Sequence, residues 1–144
     1  MAEKIKVLEN DLSGNWEILE PRPGIMQLLA KSDKYIMSVV PELLTVGDHG
    51  ERDEHTIEII FYENNSGERG KQVSEGGIIS RNDMMIENRK LEWWSEFAGR
   101  YGRQFASVAD KTRPSELFDS TFPDVLEART RRIAELGNKL PIDV

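Results

Sequence analysis

The chain has 144 residues, no cysteine and a formal net charge of −7. This length is typical of one domain, so we expect a single domain over residues 1–144, and the missing cysteine excludes disulfides, thiolate metal sites and cysteine nucleophiles. No apolar run approaches the ~20 residues of a membrane span, and the amino terminus lacks the apolar centre of a secretory signal. We therefore expect a cytoplasmic protein without a membrane partner.

Acidic residues concentrate in one stretch of the chain. Between Glu42 and Glu68 eight acids stand against one base, Arg52, so the remainder of the chain is neutral overall. An acidic surface repels phosphate backbones at physiological salt, which argues against a nucleic-acid partner. The stretch itself is best explained as a solvated strand face with its flanking loops.

The first part of the chain predicts short elements separated by turns. Ile5–Val7 and Trp16–Leu19 have strand-like patterns, and the turn-forming residues between them predict a hairpin. Two prolines and a glycine in 21–24 should end regular structure. The apolar pattern of Ile25–Lys31 then predicts a short helix.

Three further strands are predicted before the pattern changes. We expect one over Tyr35–Val40, because Pro41 interrupts the alternative helical stripe. The alternation in Thr56–Glu63 is the most strand-like of the chain, and the asparagines and glycine that follow favour a turn into a weaker strand over Val73–Ile79. The pair should be antiparallel, with a bulge at Gly76 and its neighbouring glycine.

From residue 80 the apolar residues recur at the spacing of a helix rather than that of a strand. Ser80 and Asp83 have the spacing of a helix start, and the apolar residues of Leu91–Val108 predict one long amphipathic helix. A last helix is expected from Pro123 to Leu136, with Gly137 as its C′ stop. Strands first and helices afterwards predict an α+β fold: a small, mostly antiparallel sheet of about four to five strands, packed against two carboxy-terminal helices.

The catalytic residue types cluster in Asp48–His55, which holds both histidines of the chain. His49, Asp53 and His55 offer ligands that divalent metals accept, so a small metal-dependent hydrolase or lyase is one alternative. Their spacing matches no established metal motif, and a water-exposed loop explains them better. We therefore predict no catalytic residue, no metal ligand and no cofactor, and favour a non-enzymatic protein.

Two features of the helices point to a partner. Trp94 falls on the core-facing stripe, whereas Trp93 is rotated by about 100° and lies either beneath the segment 111–121 or against another protein. Arg129 interrupts the apolar seam of the last helix between Leu126 and Ile133. We expect such an arginine to reach out to water; the alternative is that it pairs with a carboxylate from a neighbouring helix or a second subunit.

Arginines of the two helices could also form a common basic patch. Arg100, Arg103, Arg129 and Arg132 would then hold an anionic ligand such as phosphate or a nucleotide, which is a second alternative function. The favoured prediction is a protein-binding, adaptor or assembly protein that forms homo-oligomers or captures another protein. Its predicted partner-binding residues are Trp93, Arg100, Arg129 and Arg132.

Overall fold

A computed structural model describes residues 6–41 and 56–139. Six strands form one antiparallel sheet in which each strand pairs with the next along the chain. The strands are β1 (Lys6–Asn10), β2 (Trp16–Arg22), β3 (Ile25–Lys31), β4 (Tyr35–Pro41), β5 (Thr56–Asn65) and β6 (Glu68–Ser80). The α+β class is confirmed, although the sheet is larger than predicted.

The additional strand is β3, where the predicted helix over Ile25–Lys31 is wrong. Arg22 pairs with Ile25 across a tight turn, and Gly24 takes a φ of 78° there. Alternate β3 residues, among them Leu28 and Ala30, are buried in the core. Pairing with strands on both sides outweighs local helix propensity in so short a run. Regular structure also continues through Pro21, where the β2–β3 register shifts.

The predicted bulge in β6 is confirmed. The register between β5 and β6 shifts between Ile59 and Phe61, and Gly76 has a φ of 67°. A Cβ atom on Gly76 would lie 1.9 Å from the carbonyl oxygen of Ile59. Because this contact is with backbone, the site requires glycine both for its conformation and for its space.

The predicted helix start at Ser80 is wrong. The Ser80 amide donates to the Asp83 carboxylate at 3.0 Å, but these residues close a turn, and the first helix begins at Leu91. The same hydrogen bonds that open a helix also satisfy a turn, so the motif alone does not distinguish them.

The helical layer is more divided than predicted. It comprises α1 (Leu91–Phe97), a π-helical turn (Ala98–Gly102), α2 (Arg103–Val108), 3₁₀ turns at Ala109–Lys111 and Pro114–Glu116, α3 (Leu117–Thr121) and α4 (Pro123–Lys139). The expected long helix corresponds to α1, the π turn and α2 in unbroken succession. The predicted stop at Gly137 is wrong, because α4 continues to Lys139. A glycine near a helix end costs only about 1 kcal/mol, so it need not end the helix.

The main core lies between the sheet and this layer. Its largest fully buried side chains include Trp94, Phe61, Phe105 and Phe122. The rings of Phe61 on β5 and Phe105 on α2 stack with centroids 5.9 Å apart, which joins sheet and helices directly. Aromatic stacking of this kind adds to the stabilisation from burial. No helix in the described ranges has the length and apolar character needed to cross a bilayer.

The two glycines of the π turn have different surroundings. A Cβ on Gly102 would lie 3.0 Å from Cδ1 of Trp16, whereas one on Gly99 would meet no atom within 4 Å. We expect Gly99→Ala to raise the free energy of unfolding by about 0.5 kcal/mol, because alanine loses less backbone entropy on folding. Gly102→Ala should lower it, because the indole must shift. Urea denaturation of both variants tests this, and equal changes of one sign would contradict it.

Candidate partner-binding site

Trp93 is half-buried at the surface of the helical layer. Its ring stacks on Phe97 at a centroid distance of 5.1 Å and lies perpendicular to the Trp94 ring, with centroids 5.3 Å apart. Its indole N–H donates to the Met85 carbonyl oxygen at 2.8 Å. Trp94 is fully buried, as the helical stripe predicts. The orientation of Trp93 is therefore fixed, while part of its ring still faces solvent.

An open groove of about 270 Å³ runs past this indole, and we call it the Trp93 groove. It lies between α1 and the turns that precede it. Met85 on its wall is 65% exposed, which is unusual for so large an apolar side chain. The groove is lined by Met84, Met85, Trp93, Glu96, Phe97 and Arg100, and it ends at Tyr101 and Asp124.

The π-helical turn places Arg100 and Tyr101 at the end of the groove. The Arg100 guanidinium lies 3.0 Å from the Asp124 carboxylate and over the Tyr101 ring, 5.0 Å from its centroid. The Tyr101 hydroxyl donates to the same carboxylate. Burial and this carboxylate raise the pKa of Tyr101 above its ordinary value of 10, so the phenol remains a neutral donor. π-helical turns are rare and are frequently found at functional sites.

Arg129 and Arg132 lie elsewhere, where both bind Asp83. Arg129 donates to Asp83 from Nε at 3.2 Å and from Nη2 at 2.9 Å, and Arg132 donates from Nη2 at 3.0 Å. The Asp83 side chain is 3% exposed. Arg129 also donates to the Ile78 carbonyl oxygen and stacks over the Phe118 ring. We call Asp83, Arg129 and Arg132 the Asp83 clamp.

The clamp fixes α4 against the end of β6. Burial alone would raise the pKa of Asp83, but hydrogen bonds from Arg129, from the Ser80 amide and from Arg132 hold it well below its ordinary value of 3.8. The carboxylate therefore stays ionised between the two guanidinium groups. The expectation that Arg129 reaches out to water is wrong: it pairs with a carboxylate, which comes from the turn after β6 rather than from a neighbouring helix or a second subunit.

The four predicted residues are thus divided between two places. Trp93 and Arg100 share the Trp93 groove, whereas Arg129 and Arg132 are engaged in the Asp83 clamp. Arg103 is exposed on α2. Because three of the four arginines of the suggested anion-binding patch already bind carboxylates, the geometry gives that alternative little support.

One side of α4 presents a continuous uncharged surface to solvent. At about 100° per residue its members fall within roughly 100° of arc around the helix. All of them are exposed, Leu126 to 42% and Ile133 to 68%. We call this surface the uncharged face; it consists of Pro123, Leu126, Thr130, Ile133, Ala134 and Gly137.

The suggested metal-binding loop, Asp48–His55, lies outside the described residues. Within 6–41 and 56–139, no group of three potential ligands among histidine, aspartate and glutamate is close enough to hold a metal ion. Neither observation tests the hydrolase or lyase alternative.

Comparison of the chain with protein-family models, with curated proteins and with solved structures gives no match.

Sequence reasoning missed Asp83, Asp124 and Met85 as parts of these surfaces. Asp83 had a usable signal, because an arginine in an apolar helix seam requires a carboxylate nearby. The position of Met85 depends on how the turns 81–90 fold back along α1, and that of Asp124 depends on how α4 packs against the π turn, so neither had a signal in the sequence.

Proposed function

We propose that this chain is a non-enzymatic assembly protein that self-associates through the uncharged face of α4. The observation that carries the proposal is the exposure of Leu126 and Ile133, 42% and 68%, on one side of a helix. Excluding water from both side chains lowers the free energy and therefore favours association. Large exposed apolar side chains arranged on one face are typical of interaction surfaces.

The second half of α4 has little support from the rest of the chain. From Thr130 to Gly137 every residue is exposed except Arg132, which is held in the Asp83 clamp. A helical segment this short is marginal in water without tertiary packing, because packing of an amphipathic face supplies most helix stability. A partner that covers the uncharged face would supply this packing.

A second copy of the chain fits this face better than a charged partner does. In a two-fold symmetric dimer each surface meets itself, so a charged patch would meet like charge. The uncharged face avoids that repulsion although the chain as a whole carries a charge of −7. Its small members, Thr130, Ala134 and Gly137, allow two helices to approach closely, and a Cβ on Gly137 would meet no atom within 4 Å.

Charge placed on either side of α4 tests this proposal. We expect the wild-type chain to show the mass of a dimer at high concentration by size exclusion with light scattering. Ile133→Glu should weaken the dimer at least about tenfold, because a carboxylate would be desolvated at the contact. Arg131→Glu places a carboxylate about 200° around the helix from Ile133, changes the net charge by two units rather than one, and should remain dimeric.

The outcomes separate self-association from a general effect of added negative charge. A wild-type chain that stays monomeric at all concentrations would contradict the proposal. Equal dissociation of the two variants would contradict the assignment to the uncharged face. Circular dichroism should show unchanged helix content in Arg131→Glu, whereas a monomeric Ile133→Glu should lose helix only in the exposed last turns of α4.

A further inference from the structure

The Trp93 groove lies on the other side of the helical layer from the uncharged face. Asp124, at its end, and Leu126, on the uncharged face, are two residues apart on α4, which is about 200° of rotation. The groove is therefore a separate surface, and its chemistry differs because it combines apolar and acidic groups.

The floor of the groove is a row of aromatic rings. Trp93, Phe97 and Tyr101 stand one helical turn apart, with centroid distances of 5.1 Å and 4.8 Å between successive rings. Met85 also lines the groove, and its side chain is 65% exposed. Methionine adapts its shape to different partners, and an indole face attracts cations.

The charges at the rim favour a cation over an anion. Arg100 is paired with Asp124 at 3.0 Å, which offsets its charge at the rim. Glu96 is exposed, and within the described parts of the chain it forms no ion pair within 4.0 Å. Glu92, one turn earlier, is exposed as well. The lining residues carry two acids and one base, which leaves one uncompensated carboxylate beside the aromatic floor.

We propose that the Trp93 groove binds a lysine or arginine side chain carried on an apolar segment of a partner protein. The aliphatic stem lies between Met85 and the indole of Trp93, while the cationic head reaches the Glu96 carboxylate at the rim. A long basic side chain has this distribution of apolar stem and charged tip. The contact combines stem burial, attraction to the indole face and an ion pair with Glu96.

A pair of small probes tests this charge preference on the intact chain. n-Hexylammonium reproduces the stem and ammonium group of lysine, and hexanoate has a similar apolar tail with the opposite charge. In ¹H–¹⁵N NMR titrations we expect n-hexylammonium to shift the Trp93 indole N–H and the amides of Met85 and Glu96. Hexanoate should bind there at least about fivefold more weakly.

Variants at exposed positions connect these shifts to the groove. Glu96→Gln should weaken n-hexylammonium binding about threefold, as expected for loss of an exposed ion pair, and should leave hexanoate unchanged or slightly improved. Glu135→Gln, on α4 away from the groove, is the matched control and should bind both probes as the wild type does. Glu96→Gln should also leave the mass of the dimer unchanged.

Three results would overturn the inference. They are equal binding of the two probes at the groove, the absence of groove shifts with n-hexylammonium, and unchanged n-hexylammonium binding in Glu96→Gln. Because Glu96 is exposed on α1, its substitution should not unfold the chain, and the amide spectrum verifies this in the same experiment.

Discussion

Replacing Gly76 by alanine is expected to lower the free energy of unfolding by more than about 4 kcal/mol, a large fraction of the stability of a small domain. The left-handed φ of 67° disfavours any side chain, and the new Cβ would lie 1.9 Å from the Ile59 carbonyl oxygen. Because the obstacle is backbone of the adjacent strand, relief requires breaking the β5–β6 pairing. Urea denaturation, or loss of soluble folded protein, measures this effect.

Gly67→Ala is the matched control for Gly76→Ala. Gly67 also has a positive φ, 94°, but a Cβ there would meet no atom within 4 Å. We expect it to cost about 1 kcal/mol, the strain of a left-handed conformation without a clash. If both variants lost the same stability, the close contact at the bulge would not be the cause.

Substituting Asp83 by asparagine is expected to have the second-largest effect, a loss of about 3 kcal/mol. The carboxylate accepts hydrogen bonds from Arg129, Arg132 and the Ser80 amide while its side chain is 3% exposed. An amide cannot compensate both guanidinium charges. Glu127→Gln, which removes an exposed ion pair with Arg131, should cost less than about 0.5 kcal/mol. Thermal and urea unfolding of both variants compare a buried with an exposed ion pair.

The same carboxylate makes stability depend on pH. The pKa of Asp83 in the folded chain lies below its ordinary value of 3.8, so the unfolded chain binds its proton first as pH falls. The stabilisation from Asp83 is complete above about pH 5 and decreases as pH falls below about 4. The stability difference between wild type and Asp83→Asn should therefore shrink in acid. A constant difference from pH 7 down to the limit of folding would contradict the clamp as described.

The sequence predicts those elements whose patterns are local. β5 and the bulge in β6 follow from alternation and from the glycine pair, and the helical stretch Leu91–Val108 follows from its apolar period. β3 could not be predicted in the same way, because its short apolar run fits both the two-residue period of a strand and the 3.6-residue period of a helix. Pairing with β2 and β4, which is a tertiary effect, decides its conformation.

The partner-binding surfaces were predictable to a smaller extent. The rotation of Trp93 away from the core stripe is visible in the sequence, as is the anomaly of Arg129 in an apolar seam. The turn after β6 supplies both Asp83 and Met85, and their contacts depend on its path rather than on any period. The distinction between an arginine held inside the chain and one free for a partner therefore requires the structure.

Cysteine scanning along α4 tests self-association through the uncharged face most directly, because the chain has no cysteine of its own. Single cysteines would be placed at Leu126, Thr130, Ile133, Ala134 and Gly137, and control cysteines at Arg131 and Glu135, about 60° and 100° beyond the edge of the uncharged face. Under mild oxidation we predict disulfide-linked dimers from at least one position of the uncharged face and none from the controls. Cross-linking that is absent throughout, or equal at the face and control positions, would contradict this account.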